Sequence, residues 1–158
     1  MPRRATPKRH WLLKSEPSVF SIDDLERAGT TSWEGVRNYQ ARNLLRDEVK
    51  AGDEVLFYHS SAEPSGVAGV ARIARGAYPD PTQFDRKSAY HDADSPRDAP
   101  RWLAVDVAFV RKLPRVLTLA ELKANPALAK MVVTQRGSRL SVQPVTPAEY
   151  AAVLAMLR

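Results

Sequence analysis

Glu54-Val55-Leu56-Phe57-Tyr58-His59 is followed, after residues 60–65, by Gly66-Val67-Ala68-Gly69-Val70-Ala71-Arg72-Ile73-Ala74-Arg75. The first stretch reads as a buried strand and the second as another, rich in Val, Ala and Gly. The connection between them is too short for a parallel crossover, which needs about a dozen residues or more, so the two strands pair antiparallel. Gly66 and Gly69 mark a bulge or a close approach of backbones. Trp102–Leu113 is the cleanest strand: Leu103, Val105, Val107 and Phe109 face one way, and Trp102, Ala104, Asp106 and Ala108 the other. A doubly wound parallel sheet is therefore excluded. The expected fold class is α+β, a small curved, mostly antiparallel sheet or barrel with peripheral helices.

The rest of the chain fills in around these strands. His10–Ser15 reads as a short strand stopped by Glu16-Pro17. Ser21 and Asp24 form a capping box for a helix that Gly29 ends. Residues 31–37 read as a loop or single turn. Asn38 is placed to cap a helix over Tyr39–Val49, with Ala41, Leu44 and Leu45 facing inward. Ala51-Gly52-Asp53 is a turn. Residues 76–100, with Pro79, Pro81, Pro96 and Pro100, read as a long surface excursion. Thr118 and Glu121 cap a short helix ending before Pro126, and Arg139–Val142 reads as a short strand. Thr146-Pro147-Ala148-Glu149 opens a last helix whose apolar face is Tyr150, Val153, Leu154 and Leu157. Trp11 is assigned to the core.

With 158 residues the chain has room for one domain. The absence of Cys excludes disulfides, thiol catalysis and thiolate metal sites. His10, His59 and His91 form no local metal motif, and no run approaches the ~18 apolar residues of a membrane span. The net charge of +6 is uneven: residues 1–10 carry +4, residues 11–100 carry −4 and residues 101–158 carry +6. Such a chain either meets a polyanion along one face or is simply solubilised. Met1–Arg9 reads as a disordered basic tail, and Arg3-Arg4 lacks the apolar segment of an export signal. The expected location is cytoplasmic: with the nucleoid if the source is bacterial, nuclear if eukaryotic.

No nucleophile elbow, P-loop or dinucleotide loop is present, and His59 and Ser60, as strand neighbours, point to opposite faces. No catalytic residue, cofactor or metal is expected. Recognition chemistry is concentrated instead in Trp33-Glu34-Gly35-Val36-Arg37-Asn38-Tyr39-Gln40-Ala41-Arg42-Asn43. Trp33 and Tyr39 offer faces on which an unstacked base can lie, and Asn38 and Gln40 can donate and accept as base edges require. Arg37 and Arg42 suit phosphates. Each has a plainer alternative: Asn38 only caps, Trp33 only fills the core, and Arg42 pairs with Asp47 or Glu34.

These residues, with His10-Trp11-Leu12-Leu13-Lys14-Ser15-Glu16-Pro17 before them and Phe57-Tyr58-His59-Ser60 after, resemble the EVE domain family. Ala77-Tyr78-Pro79-Asp80 with Gln83-Phe84, Val105-Asp106-Val107 and Arg139-Leu140-Ser141-Val142-Gln143-Pro144 extend the likeness in the same order, so it covers residues 10–158. The resemblance implies a PUA-like fold and a reader, not a catalyst, that accepts a modified base in a pocket. The base it implies is a modified cytosine in DNA, with RNA as a further partner and the chain acting as a monomer without membrane. Mapped onto this sequence, Ser15, Trp33, Val36, Asn38, Tyr39, His59, Ser60, Leu140 and Ser141 would line the pocket. Lys14, Arg37, Arg42 and Arg139 would hold phosphates. Alternatives are an RNA-modification enzyme or accessory domain acting on tRNA, and a binder of a small metabolite. The pocket is expected beside residues 33–42.

Overall fold

The computed structural model describes residues 8–136 and 140–157. Six strands form one sheet: β1 (His10–Ser15), β2 (Thr30–Trp33), β3 (Glu54–His59), β4 (Gly66–Pro79), β5 (Leu103–Thr118) and β6 (Val142–Val145), in the order β2-β5-β4-β3-β1-β6. Every neighbouring pair is antiparallel except β1 with β3, whose connection contains α1 (Ile22–Ala28), β2 and α2 (Tyr39–Asp47) and is long enough to cross over. α3 (Leu119–Ala124) and α4 (Pro147–Ala155) complete the α+β fold.

The sheet is strongly curved. β2 and β3 are separated by β5 and β4, about 14 Å across a flat sheet, yet the rings of Trp33 on β2 and Phe57 on β3 meet edge-on at 5.6 Å. Breaks in the β4–β5 register, four of them, permit this coiling. Gly66 and Gly69 act as the spacing suggested. A Cβ on Gly66 would lie 2.1 Å from the Leu117 carbonyl oxygen, and one on Gly69 2.3 Å from Ile22 Cδ1, beside a register break.

Alternation on the strands divides the core between two faces. Trp11, Leu13, Val55, Phe57, Ile73, Val105 and Val107 pack with Ile22 and Leu25 of α1 and Ala41 and Leu45 of α2. Leu12, Leu56, Tyr58, Val67 and Val70 pack on the opposite side with Leu122 of α3 and Val153 of α4. Trp11 is fully buried, and its indole N–H donates to Asp53 at 2.8 Å. The three capping boxes form at Ser21, Thr118 and Thr146, and Asn38 caps α2.

Several expectations need correction. Residues 30–33 are a strand, not loop, because they pair with β5 from Thr30↔Ala108 to Trp33↔Val105. The last strand is Val142–Val145, not Arg139–Val142; Pro144 is tolerated because β6 pairs only with β1, at the sheet edge. β4 continues to Pro79, and the segment beyond it is tied inward. Asp80 and Gln83 are fully buried, and Gln83 bonds both the Asp80 and Trp102 carbonyls. Arg9, read as tail, is held: its N–H donates to Asp53 at 3.1 Å, and its guanidinium meets Glu48 at 3.1 Å and lies 4.7 Å from the Trp11 ring centroid. The rest of that tail, residues 1–7, lies outside the described residues. No helix among the described residues is long and apolar enough to cross a membrane.

Candidate nucleic-acid interface

β1 and β3 run in the same direction and end together, Ser15 opposite His59. β6 runs against β1, so the residues leading into it arrive at that same end. Lys14 N–H donates to the Ser141 carbonyl at 3.0 Å, and Ser60 N–H to the Ser15 carbonyl at 2.9 Å. Six of the anticipated residues, Lys14, Ser15, His59, Ser60, Leu140 and Ser141, are thereby gathered at one end of the sheet, all partly exposed. Trp33 joins them across the concave face through Phe57, which touches both Trp33 and the His59 ring (5.7 Å) edge-on. Phe20, Trp33 and Leu140 are the partly buried hydrophobic margin of this cluster, and Val36 is buried within it.

The polar groups here are partly committed. Ser15 Oγ donates to the Phe20 carbonyl at 2.6 Å. His59 Nε2 accepts the Ile22 N–H at 3.1 Å, which requires a neutral ring protonated on Nδ1. Burial pushes the His59 pKa below the ordinary histidine value; Asp23 opposes the shift and Lys112 adds to it. Burial also lowers the Lys14 ammonium, whose Nζ lies 5.8 Å from the Tyr58 ring centroid. Tyr58 itself packs on the opposite face, as strand alternation requires.

The two arginines of the motif, Arg37 and Arg42, are turned to the protein itself. Arg37, expected on phosphate, spends its donors on the protein: Asp80 at 3.0 Å, Thr82 Oγ1 at 3.0 Å and the Tyr90 carbonyl at 2.6 Å. It is a clamp between the motif and residues 80–90. Asn38 Oδ1 accepts the Ala41 N–H at 3.0 Å, so the cap forms and the amide NH₂ is what Asn38 retains for a ligand. Arg42 pairs with neither Asp47 nor Glu34; it donates to the Arg101 carbonyl and to Asn43 Oδ1, each at 2.8 Å. Its guanidinium lies 5.0 Å from the centroid of Tyr39, a half-exposed ring 4.8 Å from that of Trp102. Arg139 lies outside the described residues.

Two open hollows, of about 850 and 390 Å³, lie at the other end of β1, around Lys8–His10, and neither is lined by residues 33–42. Beside the motif, the partly exposed Trp33 and His59 form a corner over the fully buried Phe57. Sequence reading also missed Asp80. Its side chain is fully buried and accepts from Gly35 N–H (2.8 Å), Arg37 (3.0 Å), Thr82 N–H (2.8 Å) and Thr82 Oγ1 (2.5 Å). Burial alone would raise its pKa, but these bonds outweigh it and hold the carboxyl below the usual range. Phe57 was read only as core; its spacing of two from His59 was the signal that both share a face. Among the described residues no cluster of His, Asp or Glu could hold a metal ion.

Comparisons with known proteins agree with this fold. Human thymocyte nuclear protein 1 is 45% identical over 166 residues, covering 93% of this chain and 73% of that protein. A crystal structure from Pseudomonas syringae matches with a TM-score of 0.91 and 50% identity, covering 94% of this chain and 99% of the other. The crystal structure of the human protein in complex with 5-methylcytosine-containing DNA matches with a TM-score of 0.88 and 44% identity, covering 96% of this chain and 98% of the other. The fold is the PUA-like α+β architecture. The EVE domain model matches residues 9–156, which takes in the whole sheet and the corner at its end, and the chain belongs to the EVE domain family.

Proposed function

We propose that this protein binds DNA as a reader of a modified base, a modified cytosine, which it accepts in the corner between Trp33 and His59, over the buried Phe57, without chemical turnover. One observation carries the reading: a relative with the same fold along 96% of this chain is bound to 5-methylcytosine-containing DNA. The local chemistry supports it. A base turned out of a duplex loses a few kcal/mol of stacking, and Trp33 with Phe57 behind it offers a replacement surface. After the internal bonds are made, His59 Nδ1–H and the Asn38 NH₂ remain as donors and Ser15 Oγ as an acceptor, with Ser60 just beyond the end of β3. That set complements a cytosine edge, which accepts at N3 and O2 and donates at N4. Leu140 is an apolar neighbour suited to a 5-methyl group. Lys14 supplies positive charge at the same end of the sheet, and one copy of the chain serves one base.

The test is fluorescence anisotropy on duplexes identical except for one central cytosine, unmodified or carrying a 5-methyl or related group, with nucleoside mass spectrometry on the same mixtures. Tighter binding to one modified duplex, with the base recovered unchanged, is the expected result. Equal affinity across the series overturns the reader, and a converted base overturns the absence of turnover.

A further inference from the structure

The larger hollow, about 850 Å³, lies at the opposite end of β1 from Ser15. Three separate segments line it: residues 8–10, residues 126–132 and residues 144–149. Its walls are mainly apolar and small, including Ala127, Ala129, Val132, Pro144, Val145 and Ala148. Its rim is basic. Lys8 and Lys130 have no ion-pair partner among the described residues, and Arg9 meets Glu48. The one acid there, Glu149, has a carboxylate oxygen committed to the Thr146 N–H at 3.0 Å, within the α4 capping box.

We propose that this groove docks an acidic peptide segment of a partner protein, with small apolar side chains seated between residues 126–132 and 144–149 and carboxylates at Lys8 and Lys130. Charge complementarity selects that occupant. A nucleic-acid backbone would have its phosphates over an apolar floor that offers them no donors. Residues 1–7, with Arg3, Arg4 and no acid, carry the same sign as the rim. β1 advances five residue steps from His10 to Ser15, about 17 Å, so a peptide here leaves the base-binding corner open. The module would then connect a marked DNA site to a second protein.

The experiment is a titration of the full chain with a fluorescein-labelled peptide alternating Glu or Asp with Leu and Ala. Its counterpart has every acid replaced by Lys. Two surface variants accompany it: Lys130→Glu, which reverses the rim, and Ala129→Trp, which fills the groove. Circular dichroism and binding of the methylated duplex report that each variant is folded. The acidic peptide should bind the wild type and the basic one should not. Each variant should weaken peptide binding at least tenfold with methylated-duplex affinity unchanged. Equal binding of both peptides, no binding of the acidic one, or indifference to both variants overturns the proposal. So does loss of duplex binding in Lys130→Glu, which assigns the groove to nucleic acid. Concentration-dependent self-association abolished by Ala129→Trp assigns it to a second copy and overturns it equally. Because the duplex is measured separately, failure of the groove and failure of the reader are distinguishable.

Discussion

Trp33 is partly buried, packed against the core cluster with an edge-on contact to Phe57, and keeps part of its surface open. A core tryptophan would be enclosed on all sides, so its remaining surface is available for stacking. Trp33→Ala should weaken binding of the methylated duplex by about 1–3 kcal/mol, roughly 5- to 150-fold in Kd. Trp33→Phe, which keeps a ring, should recover part of the loss; equal losses in both variants would argue that the ring only fills space. His59 makes a second prediction. Its folded pKa lies below the ordinary 6.5 because of burial, so the unfolded chain takes up its proton first as pH falls. Stability contributed by the neutral ring is present above about pH 6.5 and is progressively lost below it. Urea unfolding between about pH 5 and pH 7.5 should show stability rising with pH, and His59→Gln should flatten that slope. An unchanged slope in the variant would place the titration elsewhere.

The segment Gly35–Asn38 has no regular hydrogen bonding of its own, and the buried carboxylate of Asp80 supplies it from forty-odd residues away. Asp80→Ala leaves the Gly35 N–H and part of the Arg37 guanidinium without an acceptor. It should cost about 3 kcal/mol or more in stability, measured by denaturant midpoint, and should also weaken methylated-duplex binding. Gly66→Ala tests the neighbouring strands: the new Cβ meets the Leu117 carbonyl, which is backbone and cannot rotate away. A loss of about 1–3 kcal/mol or more is expected, and a neutral result would mean that β4 and β5 are less closely apposed than described. These same contacts explain what the sequence could and could not disclose. The four helices were legible because their caps are local, written in three or four consecutive residues. β2 was not, because Thr-Thr-Ser-Trp has no apolar alternation and becomes a strand only by pairing with β5. The inward anchoring of residues 80–102 was equally hidden. It rests on buried polar partners, Asp80, Gln83 and Ser95, which have no periodicity to read. At the candidate site, Ser15, His59 and Ser60 were named through the family resemblance, and the register of β1 with β3 brings them to one end of the sheet. That Arg37 would turn toward Asp80, away from solvent, required the tertiary contact.

Charge is the property that only the assembled chain has. The net +6 is concentrated in the first ten residues and beyond residue 100, while the middle of the sequence is acidic. The curved sheet brings Lys14 and the approach to β6 to one end, beside the corner proposed to receive the base. Binding therefore divides into two parts with different physical signatures. Contacts of cations with phosphates release counterions, and each weakens steeply with salt, by close to one power of the salt concentration. Stacking on Trp33 and bonds from His59 and Asn38 release none. Affinity for methylated and unmethylated duplexes should both fall as salt rises from about 50 to 200 mM, along parallel lines of log K against log salt. The ratio between them, which measures the base pocket alone, should stay constant. Anisotropy titrations at four salt concentrations decide this. Converging lines would mean that the preference for the methylated duplex is itself electrostatic, and would remove the base from the corner at Trp33.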